Sequence, residues 1–191
     1  MHIETNSTTQ SCFTQLLRAK VVLVLRNDYS NQACSVARTL EVVGERWTLL
    51  VIRDAFCGLR RFDEFQASTG VARNVLTSRL ERLFDHGILE KRAYQERPPR
   101  FEYLLTDKGR DLWPVIFALM QWGDQYDPWA QGPPTLVAHR GCGGNVGQGA
   151  VCDRCGEVLL NSRDMQLLPG PGAPADHPLL RAAARQEALT G

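Results

Sequence analysis

The sequence predicts a mainly α-helical chain with one small β-hairpin, an α+β fold, and two observations lead to this class. Residues 62–68 and 72–86 show the apolar spacing of helices and are joined by a short turn at 69–71. Residues 88–94 and 101–105 then alternate between apolar and polar side chains, as the two strands of a hairpin do. Two helices joined by a tight turn and followed by a hairpin predict a winged helix-turn-helix.

The helix predicted over residues 72–86 has two chemically different sides. One side is apolar at helical spacing and predicts contact with the protein's own core: Val75, Leu76, Leu80, Leu83 and Phe84. The opposite side is polar, with two arginines at its margins: Asn74, Thr77, Ser78, Glu81 and Arg82, then Arg73 and Arg79. Gly87 follows at the position where glycine commonly ends a helix. A helix of this kind suits a DNA major groove, with its polar side toward the bases.

We therefore predict that this helix and the hairpin tip contact double-stranded DNA. Between residues 73 and 100, seven lysines and arginines against four acidic residues leave an excess of three positive charges. Arginines at the hairpin tip suit the minor groove or the flanking phosphates. The predicted DNA-binding residues are Arg73, Asn74, Thr77, Ser78, Arg79, Arg82, Arg97 and Arg100. A solvated helix face and an ordinary charged hairpin are the alternative that the polar pattern alone leaves open.

The size and composition limit the function classes. At 191 residues the chain has room for one domain of about 100–150 residues with appendages. A net charge of +1 excludes a protein whose whole surface is strongly basic. It does not exclude DNA binding, because a local positive surface is enough for that. No stretch approaches the ~18 apolar residues of a membrane span, and the first residues do not resemble a signal peptide. We expect a cytoplasmic protein, and not an enzyme, since no nucleophile elbow, phosphate loop or HExxH motif occurs.

Helices are predicted on both sides of the helix-turn-helix and its wing. Before it, Ser35 is predicted to cap a helix that Gly44 closes, and a second helix runs over residues 45–56. After it, Thr106 is predicted to cap a long helix over residues 107–126, kinked or interrupted at Pro114. This last helix is apolar around most of its circumference, so it must be covered on more than one side. We expect the same helix of a second subunit to provide the cover.

The chain divides into four predicted segments. Residues 1–30 are expected to be a disordered leader, and a second hypothesis puts the natural start near Val24 or Leu25. Residues 31–129 form the winged domain with its dimerisation helices, and residues 130–168 a small Cys/His module. Residues 169–191, rich in proline and glycine at their start, are expected to be a flexible tail whose last part could be helical.

Four residues in the module have the spacing of metal ligands. His139 and Cys142 are three residues apart, as are Cys152 and Cys155, and glycine follows each pair. Such a knuckle lets the backbone turn around a tetrahedral ion. The nine residues between the pairs are fewer than the usual ~15–20 of a zinc ribbon. We predict a closed, structural zinc site in a zinc-ribbon-like module; the alternatives are a reduced loop with unrelated cysteines and a dithiol switch at Cys152 and Cys155.

Four segments of the chain resemble a known family. In order they are CSVARTLEVVGERWTLLVIRDAF, RRFDEF, NVLTSRLERLFDHGILEKR and PPRFEYLLTDKGRDLWPVI. Together, over about residues 31–126, they are similar to the HxlR family of bacterial transcription regulators, winged-helix relatives of the MarR group. The resemblance implies a homodimer whose two recognition helices enter successive major grooves of a near-palindromic operator. The rival interpretation is a winged helix that docks on another protein and lacks specific DNA binding.

The resemblance also bears on Cys34. This residue precedes the first predicted helix, and in some redox-sensing members of the family a cysteine here forms an intersubunit disulfide. The resemblance thus implies a response to oxidants or electrophiles. The alternative is a small residue packed at the dimer seam. Of the remaining cysteines, Cys57 is expected to be structural, and Cys12 lies in the leader.

Overall fold

A computed structural model describes residue 29 and residues 32–182 of the chain. Of the predicted leader, only Tyr29 belongs to the described residues, so the hypothesis of a later natural start falls outside them. The end of the predicted tail also lies outside the described residues. The helices are α1 (Ser35–Val43), α2 (Thr48–Phe56), α3 (Phe62–Thr69), α4 (Arg73–Asp85), α5 (Asp107–Arg110) and α6 (Trp113–Tyr126). The strands are β1 (Leu89–Gln95), β2 (Arg100–Leu105), β3 (Thr135–His139) and β4 (Met165–Pro169). Among these described helices, none is both long and apolar enough to cross a membrane.

The two helices before the helix-turn-helix begin at other residues than predicted. Ser35 is the first residue of α1 and Cys34 is its N-cap, so the prediction that Ser35 caps this helix is wrong. Helix α2 starts at Thr48 because Trp47 has a left-handed backbone with φ +80°. A left-handed residue cannot continue a right-handed helix, which is why residues 45–47 form a turn. Gly44 closes α1 as predicted, its N–H donating to the carbonyl of Leu40.

Helices α3 and α4 form the predicted helix-turn-helix. The carboxylate of Glu64 accepts hydrogen bonds from the N–H groups of Arg60 (2.7 Å) and Arg61 (2.9 Å), which fixes the start of α3. Gly70, with φ +66°, ends α3 in the left-handed conformation that glycine adopts without strain. At the end of α4, the N–H of Ile88 donates to the carbonyl of Leu83 (2.8 Å).

Gly87 ends α4 as predicted. Its φ is +65°, and its N–H donates to the carbonyl of Phe84 over 2.9 Å. Together with the bond from Ile88 to Leu83, this pair of hydrogen bonds is a Schellman motif. Ile88 and Leu83 are both buried, so the motif also turns the chain into the core before the hairpin begins.

The core of the winged domain lies under α4. Leu76, Leu80 and Leu83 are each at most 1% exposed and pack with Phe65 of α3 and Ile52 of α2. Burial of a leucine side chain contributes roughly 1.5–3 kcal/mol, so this row anchors the helix. The predicted apolar side is only partly buried, because Val75 is half-buried and Phe84 is 43% exposed. The ammonium of Lys91 lies 4.5 Å from the Phe84 ring and covers part of it.

Strands β1 and β2 form the predicted wing. They pair antiparallel with Leu89 opposite Leu105 and Arg92 opposite Glu102. The hairpin is joined to the start of α3, since the N–H of Tyr103 donates to the carbonyl of Arg60 over 2.7 Å. The wing is therefore held against the helix-turn-helix.

The predicted long helix after the wing is two helices. Thr106 caps α5 as predicted, its hydroxyl accepting from the N–H of Gly109 at 3.0 Å. The chain then breaks, and α6 begins at Trp113 with Pro114 in its first turn. Proline is tolerated there because the first helical N–H groups have no partner within the helix.

The Cys/His module is built on a second hairpin. Strands β3 and β4 pair antiparallel, with Thr135 opposite Pro169 and His139 opposite Met165. Two single turns of 3₁₀ helix, at Gln148–Ala150 and Ser162–Asp164, lie in the connection.

Residues 170–182 differ from the expected flexible tail, because they fold back on the module. The N–H of Gly170 donates to the carbonyl of Pro134 over 2.9 Å, and His177 Nε2 lies 3.0 Å from the hydroxyl of Thr135. A Cβ on Gly170 would lie 2.1 Å from the carbonyl oxygen of Pro133, so glycine allows this close backbone packing. The composition of residues 170–182 favours disorder, because composition alone gives no information on contacts between residues that are distant in the sequence.

Candidate nucleic-acid interface and metal centre

Helix α4 presents three small polar side chains to solvent. Asn74, Thr77 and Ser78 are exposed, on the side of the helix opposite the buried leucines. The hydroxyl of Thr77 donates to the carbonyl of Arg73 over 2.9 Å, and its oxygen lone pairs remain available. The predicted DNA-reading side of the helix is therefore open in this chain.

Arg73 and the wing frame a cleft beside this open side. The guanidinium of Arg73 lies 4.7 Å from the centre of the Phe62 ring. The cleft, of about 460 Å³, is also lined by Arg100, Tyr94 and Phe101 of the wing. Arg97 is exposed at the hairpin tip. The structure thus brings Arg73 and Arg100 to one cleft, although they are 27 positions apart in the sequence.

Arg79 and Arg82 lie elsewhere. The Nε of Arg79 donates to the carbonyl of Arg46 (3.1 Å), and its Nη2 to the carboxylate of Glu45 (2.9 Å). Arg82 donates to the carbonyl of Glu41, at the end of α1. Both side chains are half-buried and connect α4 to α1 and the turn after it. Their predicted contact with DNA stays a prediction.

An ion-pair cluster that we did not predict fixes the wing. Glu102 is 7% exposed, and its carboxylate lies 2.9 Å from Nη2 of Arg92 and 3.7 Å from Nε of Arg61. The guanidinium of Arg61 also lies 4.4 Å from the Tyr94 ring. Only the register of the hairpin places Arg92 opposite Glu102, so no signal within either strand alone identifies the pair.

The four predicted metal ligands converge. Their ligand atoms all lie within 4.8 Å of one another. His139 Nδ1 lies 3.3 Å from Cys155 Sγ and 3.4 Å from Cys142 Sγ, and Cys142 Sγ lies 3.4 Å from Cys152 Sγ. Thiolates bound to zinc at ~2.3 Å lie about 3.8 Å apart in a tetrahedron, whereas a disulfide requires ~2.05 Å. This Cys₃His cluster could hold a metal ion.

Glycines give the two knuckles the same shape. Gly143 donates its N–H to the carbonyl of His139 (2.7 Å), and Gly156 donates to the carbonyl of Cys152 (3.0 Å). Both glycines have positive φ, +70° and +74° respectively. Glycine adopts this conformation without strain, which lets the backbone turn after each ligand pair as predicted. Gly144 is needed for space, since a Cβ there would lie 2.6 Å from Cys152 Sγ.

Comparisons with known proteins agree with this architecture. Residues 42–130 match the model of the HxlR-like helix-turn-helix family. An uncharacterized HTH-type transcriptional regulator of Mycobacterium tuberculosis is 46% identical over 138 residues, which cover 72% of this chain and 87% of that protein. The chain belongs to the HxlR-like helix-turn-helix family. The resemblance drawn from the sequence is confirmed.

Other similar proteins match less of the chain. The uncharacterized HTH-type transcriptional regulator YdeP of Bacillus subtilis is 34% identical over 103 residues, 52% of this chain and 80% of YdeP. Among solved structures, the redox regulator HypR in its oxidized form is 33% identical and covers 48% of this chain and 96% of that chain, with a TM-score of 0.46.

Three cysteines of this HxlR-like chain have different environments. Cys34 is exposed at the start of α1. Cys57 is buried, and burial raises the pKa of its thiol to about 12. The pKa of the Cys152 thiol is shifted in the opposite direction. Hydrogen bonds from the N–H groups of Cys155 and Arg154 lower it to about 6, which favours the thiolate that metals bind.

Helix α6 of this HxlR-like chain buries only one side. Trp113, Ile116 and Phe117 pack into the core. The opposite side carries large apolar side chains that are between 43% and 65% exposed: Val115, Leu119, Trp122 and Tyr126. An exposed apolar row of this length is typical of a contact surface.

Proposed function

We propose that this protein is a transcription regulator that binds a near-palindromic DNA operator as a homodimer in the cytoplasm. The observation that carries the proposal is the open polar side of α4, where Asn74, Thr77 and Ser78 are exposed above a row of fully buried leucines. A helix anchored in this way keeps its polar side chains at a fixed orientation, as reading of base edges requires.

The residues divide into those that read bases and those that position the protein. Asn74 has an amide that can donate to and accept from adenine, and the hydroxyls of Thr77 and Ser78 suit several base edges. Arg73, Arg97 and Arg100 supply positive charge for phosphates or the minor groove.

We propose that the exposed apolar side of α6 forms the dimer interface. Leu119 and Trp122 are 51% and 64% exposed, and α1 adds the exposed Val36 and Leu40. These residues belong to the first and last helices of the winged domain, which leaves α4 free for DNA in each subunit. A twofold-symmetric protein matches a twofold-symmetric operator.

The DNA proposal is tested by fluorescence anisotropy with the DNA upstream of the protein's own gene. We expect binding that is tighter than to shuffled DNA and that weakens steeply between about 50 and 200 mM salt, because phosphate contacts release counterions. Asn74→Ala should weaken binding to the specific DNA by about 5- to 150-fold, and Asp85→Asn, an exposed control on the same helix, should not weaken it. Weak binding that is insensitive to salt would favour a protein-docking role.

We further propose that the protein responds to oxidants or electrophiles through Cys34. This thiol is exposed at the N-cap of α1, beside the helix that we assign to the dimer interface. Oxidation to an intersubunit disulfide would change the relative placement of the two recognition helices. Cys34→Ser should abolish the loss of DNA binding caused by diamide, and an unchanged response in this variant would reject the proposal.

For the metal cluster we infer one structural zinc ion per chain, bound by His139, Cys142, Cys152 and Cys155. Four protein ligands leave no open position for catalysis. Nδ1 of His139 faces the thiols, and its Nε2 lies 3.7 Å from the carboxylate of Glu157, an arrangement typical of metal-bound histidine. The ion would stabilise a module that is too small for a core of its own.

Metal analysis after passage over a chelating resin tests the zinc site. We expect about one zinc per chain, lost in Cys152→Ser and retained in Cys34→Ser. A fully folded protein that holds no zinc would overturn the assignment. Formation of a Cys152–Cys155 disulfide in that protein would support the dithiol alternative.

A further inference from the structure

A second cleft lies where the winged domain meets the Cys/His module. Its volume is about 610 Å³, within the range of small-molecule sites. The winged domain contributes Arg110 and Phe56 to it, and the module contributes Arg140 and Arg163. The cleft is separate from the surface of α4 and from the metal ligands, none of which lines it.

The charged side chains that line the cleft are all positive. Among the described residues that line the cleft there are three arginines and no aspartate or glutamate. In the part of the chain that the structure describes, no carboxylate pairs with Arg110 or Arg140. Arg163 is paired, its Nη2 lying 2.6 Å from Asp107, but both side chains are mostly exposed (65% and 85%), and such a pair contributes little stability.

Polar and apolar groups occupy different parts of the cleft. Ser162 and Gln166 add hydrogen-bonding side chains on the module side. The half-buried ring of Phe56 and the side chain of Leu179 supply apolar surface. A charged end and an apolar part within one cleft match a small organic anion better than a bare inorganic ion.

We propose that this cleft binds a small organic molecule with two or more negative charges, either a phosphate monoester or a dicarboxylate. The planar guanidinium groups of Arg110 and Arg140 would hold its oxyanions by bidentate hydrogen bonds. Phe56 and Leu179 would contact its apolar part. Since Arg110 lies on the winged domain and Arg140 on the module, the bound anion neutralises like charges on both sides of the junction and holds the two parts together. This binding does not depend on the proposed DNA-binding function.

Isothermal titration calorimetry of the full, metal-loaded chain tests the proposal. The probes are phenyl phosphate and isophthalate, which separate the two anion classes, and phenol as the neutral control, at about 0.15 M ionic strength. We expect saturable binding of at least one dianion at one site per chain and none of phenol. Arg110→Gln and Arg140→Gln should each weaken that binding by about tenfold, because each removes hydrogen bonds between charged groups.

A matched control separates this site from general charge effects. Arg38→Gln removes an exposed arginine of α1, outside the cleft, and should leave the affinity unchanged. Arg110→Lys should retain part of the affinity for the dianion. The midpoint of thermal unfolding of this variant should equal that of the original protein. Equal binding of phenol and both dianions, or equal losses in Arg38→Gln and Arg140→Gln, would overturn the proposal.

Discussion

The indole Nε1 of Trp113 donates a hydrogen bond to Sδ of Met165 over 3.1 Å, and both side chains are buried. Trp113 begins α6 of the winged domain, and Met165 begins β4 of the module. The Trp113 ring also stacks on Phe117, with 5.6 Å between the ring centres. The module is therefore packed on the winged domain through the helix that we assign to the dimer interface.

Trp113→Phe is expected to lower the free energy of unfolding by about 1–2 kcal/mol. The substitution keeps a ring but loses the hydrogen bond to Met165 and part of the buried volume. Urea denaturation measures the change. Trp129→Phe, at a position 60% exposed, is the matched control and should change stability by less than about 0.5 kcal/mol. Equal effects of the two substitutions would contradict the packing described above.

The wing arginines should affect the salt dependence of DNA binding. Arg97→Gln and Arg100→Gln are each expected to reduce the slope of log affinity against log salt by about one, because each would remove one of the proposed phosphate contacts. Asn74→Ala should weaken specific binding and leave the slope unchanged. Anisotropy titrations at four salt concentrations provide the slopes. An unchanged slope in the Arg97 and Arg100 variants would place the wing away from the phosphates.

Leu119→Asp is expected to shift the protein from dimer to monomer. The side chain lies in the exposed apolar row of α6, and burying an unpaired charge in an interface is strongly unfavourable. Sedimentation equilibrium measures the dissociation constant. Leu160→Asp is the control, since this leucine is 61% exposed and lies in the module. If Leu160→Asp dissociates the dimer and Leu119→Asp does not, the interface has been assigned to the wrong surface.

Cys34 and Cys57 should differ in their reaction with iodoacetamide. With a pKa of about 12, the Cys57 thiol is ionised in about one molecule in ten thousand at pH 8, and it is also buried. Cys34 is exposed and should be labelled first. Peptide mass spectrometry measures both rates, and both cysteines should react in guanidinium chloride. Rapid labelling of Cys57 in the folded protein would be inconsistent with its burial.

Asp54 should influence the pH dependence of stability. Burial raises the pKa of its carboxyl above the ordinary 3.8, against the opposing effect of Arg53, whose Nη2 lies 2.6 Å away. The folded protein therefore takes up this proton at a higher pH than the unfolded chain does. The resulting stabilisation is present at low pH and is lost as the pH rises through the raised pKa.

Asp54→Asn cannot take up this proton. The difference in unfolding free energy between the original protein and this variant should therefore shift in favour of the original protein as the pH falls from 7 toward 4. Urea denaturation across this range measures it. The exposed Asp111→Asn serves as control, with a difference that stays constant. A constant difference for Asp54→Asn as well would show that its pKa is not raised.

Local patterns in the sequence determined much of this protein. The two helices, the turn at Gly70 and the wing follow from apolar spacing and glycine positions within about 45 residues. The four candidate metal ligands follow from two pairs with the same spacing. These features could be predicted because each depends on neighbours along the chain, where side-chain direction is fixed by helical or strand geometry.

The tertiary structure decided which polar side chains already have partners within the protein. Arg79 and Arg82 have the spacing of the polar side of α4, yet they contact Glu45 and Glu41, more than 30 positions away. The partners of Glu102 and the packing of residues 170–182 were likewise set by hairpin register and by contacts between distant segments. A periodic pattern gives the direction of a side chain, but its partner depends on which other segment lies there, and that is fixed only when the chain folds.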